Sequence, residues 1–210
     1  MEISVCLGKL DIKKIINMVK KLIDKERWES AQKEEKLHHM HESVNESLKK
    51  WEGIYDFYFR YLDVELDLKG KTVLEIGPAR IAALLYCNNY DPSFIVEPTR
   101  YEDSEHLYSE KQITFIREIY EECDSPKVDE IWLFNVLQHI VDPDSFIEKC
   151  KKNTKVIKFF EPINTPIEVH HPHSFTFNDY EKYFGESVKL YQGSTESFHT
   201  ADCVYGVYKC

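Results

Sequence analysis

The run Thr72-Val-Leu-Glu-Ile76, stopped at Gly77-Pro78, constrains the fold of this chain more than any other feature. A short apolar and β-branched run bounded by turn residues is a strand buried on both faces. Glycine at its end permits a tight turn, and Ile81–Tyr86 after it reads as a helix packed beside the strand. The alternation recurs downstream. Ser93–Val96 is a second buried strand, ending at Glu97-Pro98, and Val128–Phe134 and Lys155–Phe160 are two more. Gln112–Glu121 fits either a strand or a short helix. Asp144–Lys152 reads as a helix, and so does Phe177–Phe184, with Asn178 a candidate cap and Gly185 a stop. Ser187–Tyr191 and Cys203–Tyr208 alternate with period two and read as a closing antiparallel hairpin. Strands alternating with helices make βαβ units and a mostly parallel sheet, whose ligands sit beyond the carboxyl ends of the strands. That rule puts Gly77–Arg80, Glu97–Arg100 and Asn135–His139 on one rim.

Ahead of the sheet the pattern is helical. Ile12, Ile15, Ile16, Val19, Leu22 and Ile23 recur at spacings of three and four, and Trp28, Ala31, Gln32, Glu35 and His38 follow. A third run carries Val44, Leu48, Trp51, Tyr55, Tyr58 and Tyr61. The expected organisation is an N-terminal helical cap or lid over residues 1–66 and an α/β core over residues 67–210. The aromatics of Trp51–Tyr61 either line a substrate pocket or pack a helix on the sheet.

Composition excludes several partners. A formal net charge of −10 over 210 residues repels phosphate backbones and anionic membranes, so nucleic acid and lipid surfaces are disfavoured. No run approaches the roughly 18 apolar residues of a membrane span. The first residues lack the basic and apolar regions of a signal peptide. The 6 cysteines are scattered with no CxxC pair, which reads as reduced thiols in a cytoplasmic protein.

Four segments in order carry a resemblance. Glu75-Ile76-Gly77-Pro78-Ala79-Arg80 resembles the first motif of class I S-adenosylmethionine-dependent methyltransferases: acidic residue, one residue, Gly-x-Gly. Ala79 stands where the second glycine would be. Glu97 lies about 20 residues beyond Gly77, where an acidic side chain accepts hydrogen bonds from ribose hydroxyls. Phe134-Asn135-Val136-Leu137-Gln138-His139-Ile140 is similar to the family's fourth-strand region. His170–Tyr180 resembles a loop preceding a helix in many small-molecule methyltransferases. Trp28, Gln32 and Glu35 resemble a Trp-x-x-x-Gln-x-x-Glu pattern of bacterial and phage enzymes acting on sugars or lipids, and imply a lid. The resemblance implies a three-layer α/β sandwich with a mostly parallel seven-stranded sheet ending in an antiparallel hairpin. It implies S-adenosylmethionine as cofactor and S-adenosylhomocysteine as product. Glu75, Gly77, Ala79, Glu97, Pro98, Asn135, Val136 and Leu137 are the expected cofactor residues.

The expected acceptor is an oxygen or nitrogen of a small molecule or sugar. Amino-methyltransferases of nucleic-acid bases carry a (Asp/Asn/Ser)-Pro-Pro-(Tyr/Phe) motif where this chain reads Asn135-Val136-Leu137-Gln138. A hydroxyl acceptor benefits from a base, for which His173 and His171 are the candidates. No metal site is expected, because Pro172 bends the His170–His173 loop and no partner motif such as HExxH is present. Two rivals stand beside this reading. One is another Rossmann-type enzyme binding NAD, though GxGxxG is absent. The other is a non-catalytic methyltransferase-like binding protein.

Overall fold

The computed structural model describes residues 23–195 and 200–210. The first helical run, Ile12 to Leu22, lies outside the described residues.

Two helices precede the sheet. Helix α1 (Lys25–His39) starts at Asp24, whose side chain accepts the Arg27 N–H. Helix α2 (Val44–Leu62) starts in a capping box: Ser43 Oγ accepts the Glu46 N–H, and the Glu46 carboxylate accepts the Ser43 N–H. It ends where Asp63 turns left-handed.

Seven strands follow: β1 (Val73–Ile76), β2 (Ser93–Val96), β3 (Ile113–Ile116), β4 (Val128–Phe134), β5 (Thr154–Pro162), β6 (Lys189–Tyr191) and β7 (Cys203–Lys209). Their spatial order is β3-β2-β1-β4-β5-β7-β6. The first five pair in parallel, and β7 is antiparallel to both β5 and β6. From β1 the chain runs outward through β2 and β3, then returns to pair β4 on the other side of β1. That reversal opens a crevice at the carboxyl ends of β1 and β4.

Three more helices complete the layers: α3 (Glu105–Glu110), α4 (Pro143–Asn153) and α5 (Phe177–Phe184). Alternate residues of the central strands feed two apolar clusters. Ile131, Leu133 and Phe159 join Phe146 of α4 and Tyr180 and Phe184 of α5. Trp132, Phe134 and Phe160 join Tyr55, Tyr58 and Phe59 of α2. The period of two therefore makes one core on each face of the sheet and a three-layer sandwich. The aromatic run of α2 divides between the two roles open to it. Phe57, Tyr58 and Phe59 pack in the core, Trp51 reaches a cavity described below, and Tyr55 does both.

Local details differ from the sequence pattern. Only Ala83–Tyr86 of the expected Ile81–Tyr86 helix is helical, as one 3-10 turn. Gln112–Glu121 resolves into β3 followed by a turn. Thr176, not Asn178, caps α5, since its hydroxyl and the Asp179 carboxylate form a reciprocal capping box. Gly185 ends that helix as expected.

Of the described cysteines, Cys87, Cys123, Cys150 and Cys203 are buried as free thiols and Cys210 is exposed. No described helix is long and apolar enough to cross a membrane.

Candidate functional site

Three buried carboxylates at the carboxyl ends of β1, β2 and β5 build the rim of the crevice. Each one gathers backbone N–H groups from a turn that has no ladder partner for them. Glu75 of β1 accepts from Ala83 at 2.8 Å and Leu84 at 3.0 Å, fixing the 3-10 turn beneath the rim. Glu97, just past β2, accepts from Ala79 at 3.0 Å and Thr99 at 2.8 Å. Glu161 of β5 accepts from Val136 and Leu137 at 3.0 to 3.2 Å and so shapes the exit of β4.

Burial outweighs those hydrogen bonds, lifting Glu75 and Glu97 to about 7 and Glu161 to about 8. In the unfolded chain the same groups titrate at their ordinary value, near 4.5. Between the two values the folded protein binds more protons, so stability falls as pH rises. We expect the denaturation midpoint to drop between pH ~4.5 and ~8, with a slope of up to about 1.4 kcal/mol per pH unit for each group. Glu161→Gln removes one titrating group and should flatten that profile. Chemical denaturation across the pH range reads it out, and an unchanged slope would count against a buried, proton-binding Glu161.

The turn after β1 sits closest to the crevice. Gly77 has φ +63° and Ala79 φ +54°, both in the left-handed region. A β-carbon on Gly77 would stand 2.3 Å from Val136 Cγ2, so the ends of β1 and β4 meet with no room for a side chain between them. Ala79 holds its conformation although glycine would suit it better. Its N–H bond to Glu97 ties the β1 turn to the end of β2. Asn135 is also left-handed, at φ +60°, and its side chain accepts from Gln138 Nε2 at 2.9 Å.

A cavity of about 730 Å³, with open solvent at its mouth included, lies over this rim. Gly77, Ala79, Glu97, Pro98, Asn135 and Val136 line it. Glu75 and Leu137 do not: one braces the turn below, and the other packs in the core. Glu97 is only 4% exposed and lines the cavity.

The opposite wall comes from the helices. Trp28, Gln32, Glu35 and His39 of α1 face the cavity along one side, and Trp51 and Tyr55 of α2 stack with ring centroids 5.3 Å apart. Helix α1 buries only Ala31 completely, so it is held by specific bonds instead. Trp28 Nε1 donates to the carbonyl of His139 at 3.0 Å, and Thr99 Oγ1 donates to Gln32 Oε1 at 3.2 Å. Arg80 fastens the segment after it. Its guanidinium is 2% exposed and donates to the carbonyls of His39 and Glu42, to Ser47 Oγ and to Asp103.

Neither candidate base lies on the cavity wall. His173 is buried, with Nε2 2.7 Å from the carbonyl of Ile140. His171 stands beside His139, with ring centroids 5.1 Å apart, and His139 does line the cavity. Desolvation holds the imidazole of His139 down at about 4, hence neutral near pH 7.

Other wall residues carry weaker sequence signals. Ile119, Tyr120 and Glu121 follow β3 and line the cavity on the rim predicted by strand order, but that segment was ambiguous as a sequence. Glu161 ends an apolar strand, and no local pattern marks what its carboxylate holds.

No protein-family model and no curated protein matches the chain. Solved structures do match its fold. One is a methyltransferase of Haloferax volcanii in complex with the Trm112 methyltransferase activator. It shares 11% identity and a TM-score of 0.57, over 90% of this chain and 100% of that one. The 1,6-didemethyltoxoflavin-N1-methyltransferase of Burkholderia thailandensis, with its substrate and S-adenosylhomocysteine bound, shares 11% identity and a TM-score of 0.55. The match covers 74% of this chain and 75% of that one. The N-terminal domain of EvdMO1, solved in the presence of S-adenosylhomocysteine and D-fucose, shares 12% identity and a TM-score of 0.53 over 75% and 83%. At such identities the likeness concerns architecture, and strand order, layers and closing hairpin agree with it: the chain has the fold of the class I S-adenosylmethionine-dependent methyltransferases.

Proposed function

We propose that the chain transfers a methyl group from S-adenosylmethionine to an oxygen or nitrogen of a small molecule or sugar. The observation that carries this reading is the buried Glu97 carboxylate on the cavity lining, held by Ala79 and Thr99 at the β1–β2 rim. A carboxylate there is placed to accept from the two ribose hydroxyls of an adenosyl group. Gly77 lets backbone approach the ligand, and Pro98, Asn135 and Val136 complete the floor.

The reaction asks little covalent chemistry of the protein. The acceptor's lone pair forms a bond to the methyl carbon as the carbon–sulfur bond breaks. Sulfur keeps the electron pair and becomes a neutral thioether, while the acceptor loses its proton. The protein's share is alignment and exclusion of water. Helix α1 is the lid in this reading, since Trp28, Gln32 and Glu35 face the site. Of the two histidines proposed as base, His171 is the one beside the cavity, and His173 supports the Ile140 carbonyl.

The net charge of −10 and the apolar and aromatic walls favour a non-nucleic acceptor. The 1,6-didemethyltoxoflavin bound to one fold relative and the D-fucose present with another support that class. A cytoplasmic location agrees with the free thiols.

Glu97→Ala should weaken binding of S-adenosylhomocysteine by about 1–3 kcal/mol, roughly 5- to 150-fold, through loss of charge-assisted hydrogen bonds. Calorimetry on folded protein checks this. Unchanged affinity would remove Glu97 from the ribose site.

A further inference from the structure

Three side chains from distant parts of the sequence converge at the edge of the cavity. Glu35 comes from α1, His139 from the turn after β4, and His171 from the loop between β5 and α5. One ligand atom of each lies within 4.8 Å of the others. Glu35 and His139 are also cavity-wall residues, so this cluster opens onto the space beside the proposed cofactor.

The cluster is built rather than incidental. Glu35 Oε1 is held 2.9 Å from Nε2 of His39, one turn further along α1. The ring of His139 is hydrogen-bonded to the backbone of His170. Among the described residues, His139 Nδ1 is the buried side-chain polar atom with no hydrogen-bond partner. Both facts are met by a ring carrying its proton on Nε2, which leaves a desolvated lone pair on Nδ1. Such a desolvated lone pair is unfavourable unless a ligand takes it up. Metal-binding histidines share this arrangement, one nitrogen on the ion and the other donating to backbone or carboxylate. Two imidazoles and one carboxylate are a donor set of catalytic zinc and non-haem iron sites, which keep further positions open.

We propose that Glu35, His139 and His171 bind one divalent transition-metal ion at the edge of the cavity, with open coordination positions facing the acceptor. The sequence alone argued against a metal because Pro172 bends the His170–His173 loop and no partner motif accompanies it. The fold brings the other two ligands, Glu35 and His139, to His171 from much earlier in the chain. A second cluster, Glu168, His170 and His171, shares one histidine but lies further toward solvent and holds no buried unpartnered nitrogen among the described residues.

The ion's role rests on the methyl-transfer reading. A bound acceptor hydroxyl would lose its proton to solvent more readily, and its oxygen would then attack the methyl carbon. Because Glu35 belongs to α1, the ion would also fasten the lid to the core. Ion binding itself does not depend on that reading.

The test titrates the full chain, stripped of metal, with Zn²⁺ and Co²⁺ by calorimetry with no adenosyl ligand present. One ion per chain is expected. Glu35→Gln, His139→Ala and His171→Ala should each weaken it by about tenfold or more, and His170→Ala should leave it within about twofold. Circular dichroism verifies the fold of each variant. X-ray absorption of the wild-type zinc protein needs no variant and should show two imidazole nitrogens with oxygen donors. Absence of a stoichiometric ion overturns the proposal, as does a zinc shell with fewer than two imidazoles. So does loss of binding in His170→Ala with retention in His139→Ala. Binding of S-adenosylhomocysteine to the metal-free chain is measured separately. Ion binding without adenosyl binding upholds the site and removes its role in methyl transfer, whereas adenosyl binding without ion binding removes the site alone.

Discussion

Arg80→Met should lower the stability of the protein by about 3 kcal/mol and release α1 from the core. The guanidinium is almost fully buried and serves four partners at once. Methionine fills a similar volume but leaves the carbonyls of His39 and Glu42 without that donor, at about 1–3 kcal/mol for each buried group left unsatisfied. Asp103 is 39% exposed, so water compensates much of its lost ion pair and that share is discounted. A loss of this size is a large fraction of the roughly 5–15 kcal/mol that holds a domain folded. Thermal unfolding should fall by about 6–12 °C. Hydrogen exchange should speed up over Lys25–His39 before the sheet is affected. The exposed pair Arg60–Asp56, 3.2 Å apart, provides the contrast. Arg60→Met should change stability by no more than about 0.5 kcal/mol. Equal effects at the two positions would mean that Arg80 is not the fastening of the helical layer.

Gly77→Ala should disable the site by a different route. Two penalties add: a non-glycine residue at φ +63°, and a β-carbon 2.3 Å from Val136 Cγ2. The first costs about 1 kcal/mol or more, and the second forces the end of β4 to move. Stability should fall by about 2–3 kcal/mol. Because Val136 and Asn135 form the cavity floor, affinity for S-adenosylhomocysteine should fall by at least about tenfold. Val136→Ala added to Gly77→Ala relieves the clash but not the backbone strain. The double variant should therefore regain part of the stability, a positive coupling measured as a double-mutant cycle. Strict additivity of the two substitutions would contradict the close contact between the strand ends.

How much of this was legible in the sequence depended on whether the signal was local. Ser93–Val96, Val128–Phe134 and Phe177–Phe184 have the bounds their patterns give, because alternation or periodicity runs the full length of each element. Helix α3 escaped notice since it is short and buries only Tyr108. The Ile81–Tyr86 run is apolar enough for a helix, but the Glu75 carboxylate takes the N–H groups of Ala83 and Leu84 and a single 3-10 turn results.

The site divides along the same line. Gly77, Ala79, Glu97, Pro98, Asn135 and Val136 reach the cavity because each follows a strand end, and strand ends can be read locally. Glu75 sits in the same motif yet turns under the rim to brace the chain. Trp28, Gln32 and Glu35 were visible as one helical face, and that face does meet the cavity. What the sequence could not reveal was long-range pairing: Arg80 with the carbonyls of His39 and Glu42, Glu161 with Val136 and Leu137, and Glu35 with His139 and His171. Such pairings follow from strand order, which no single segment encodes.

The reading turns on what fills the cavity over Glu97. Calorimetry of the purified chain with S-adenosylmethionine, S-adenosylhomocysteine and NAD tests this directly. The expected result is micromolar to millimolar binding of both adenosyl ligands, weakened by Glu97→Ala, and no binding of NAD. Binding of NAD, or no adenosyl binding in that range, would contradict the account.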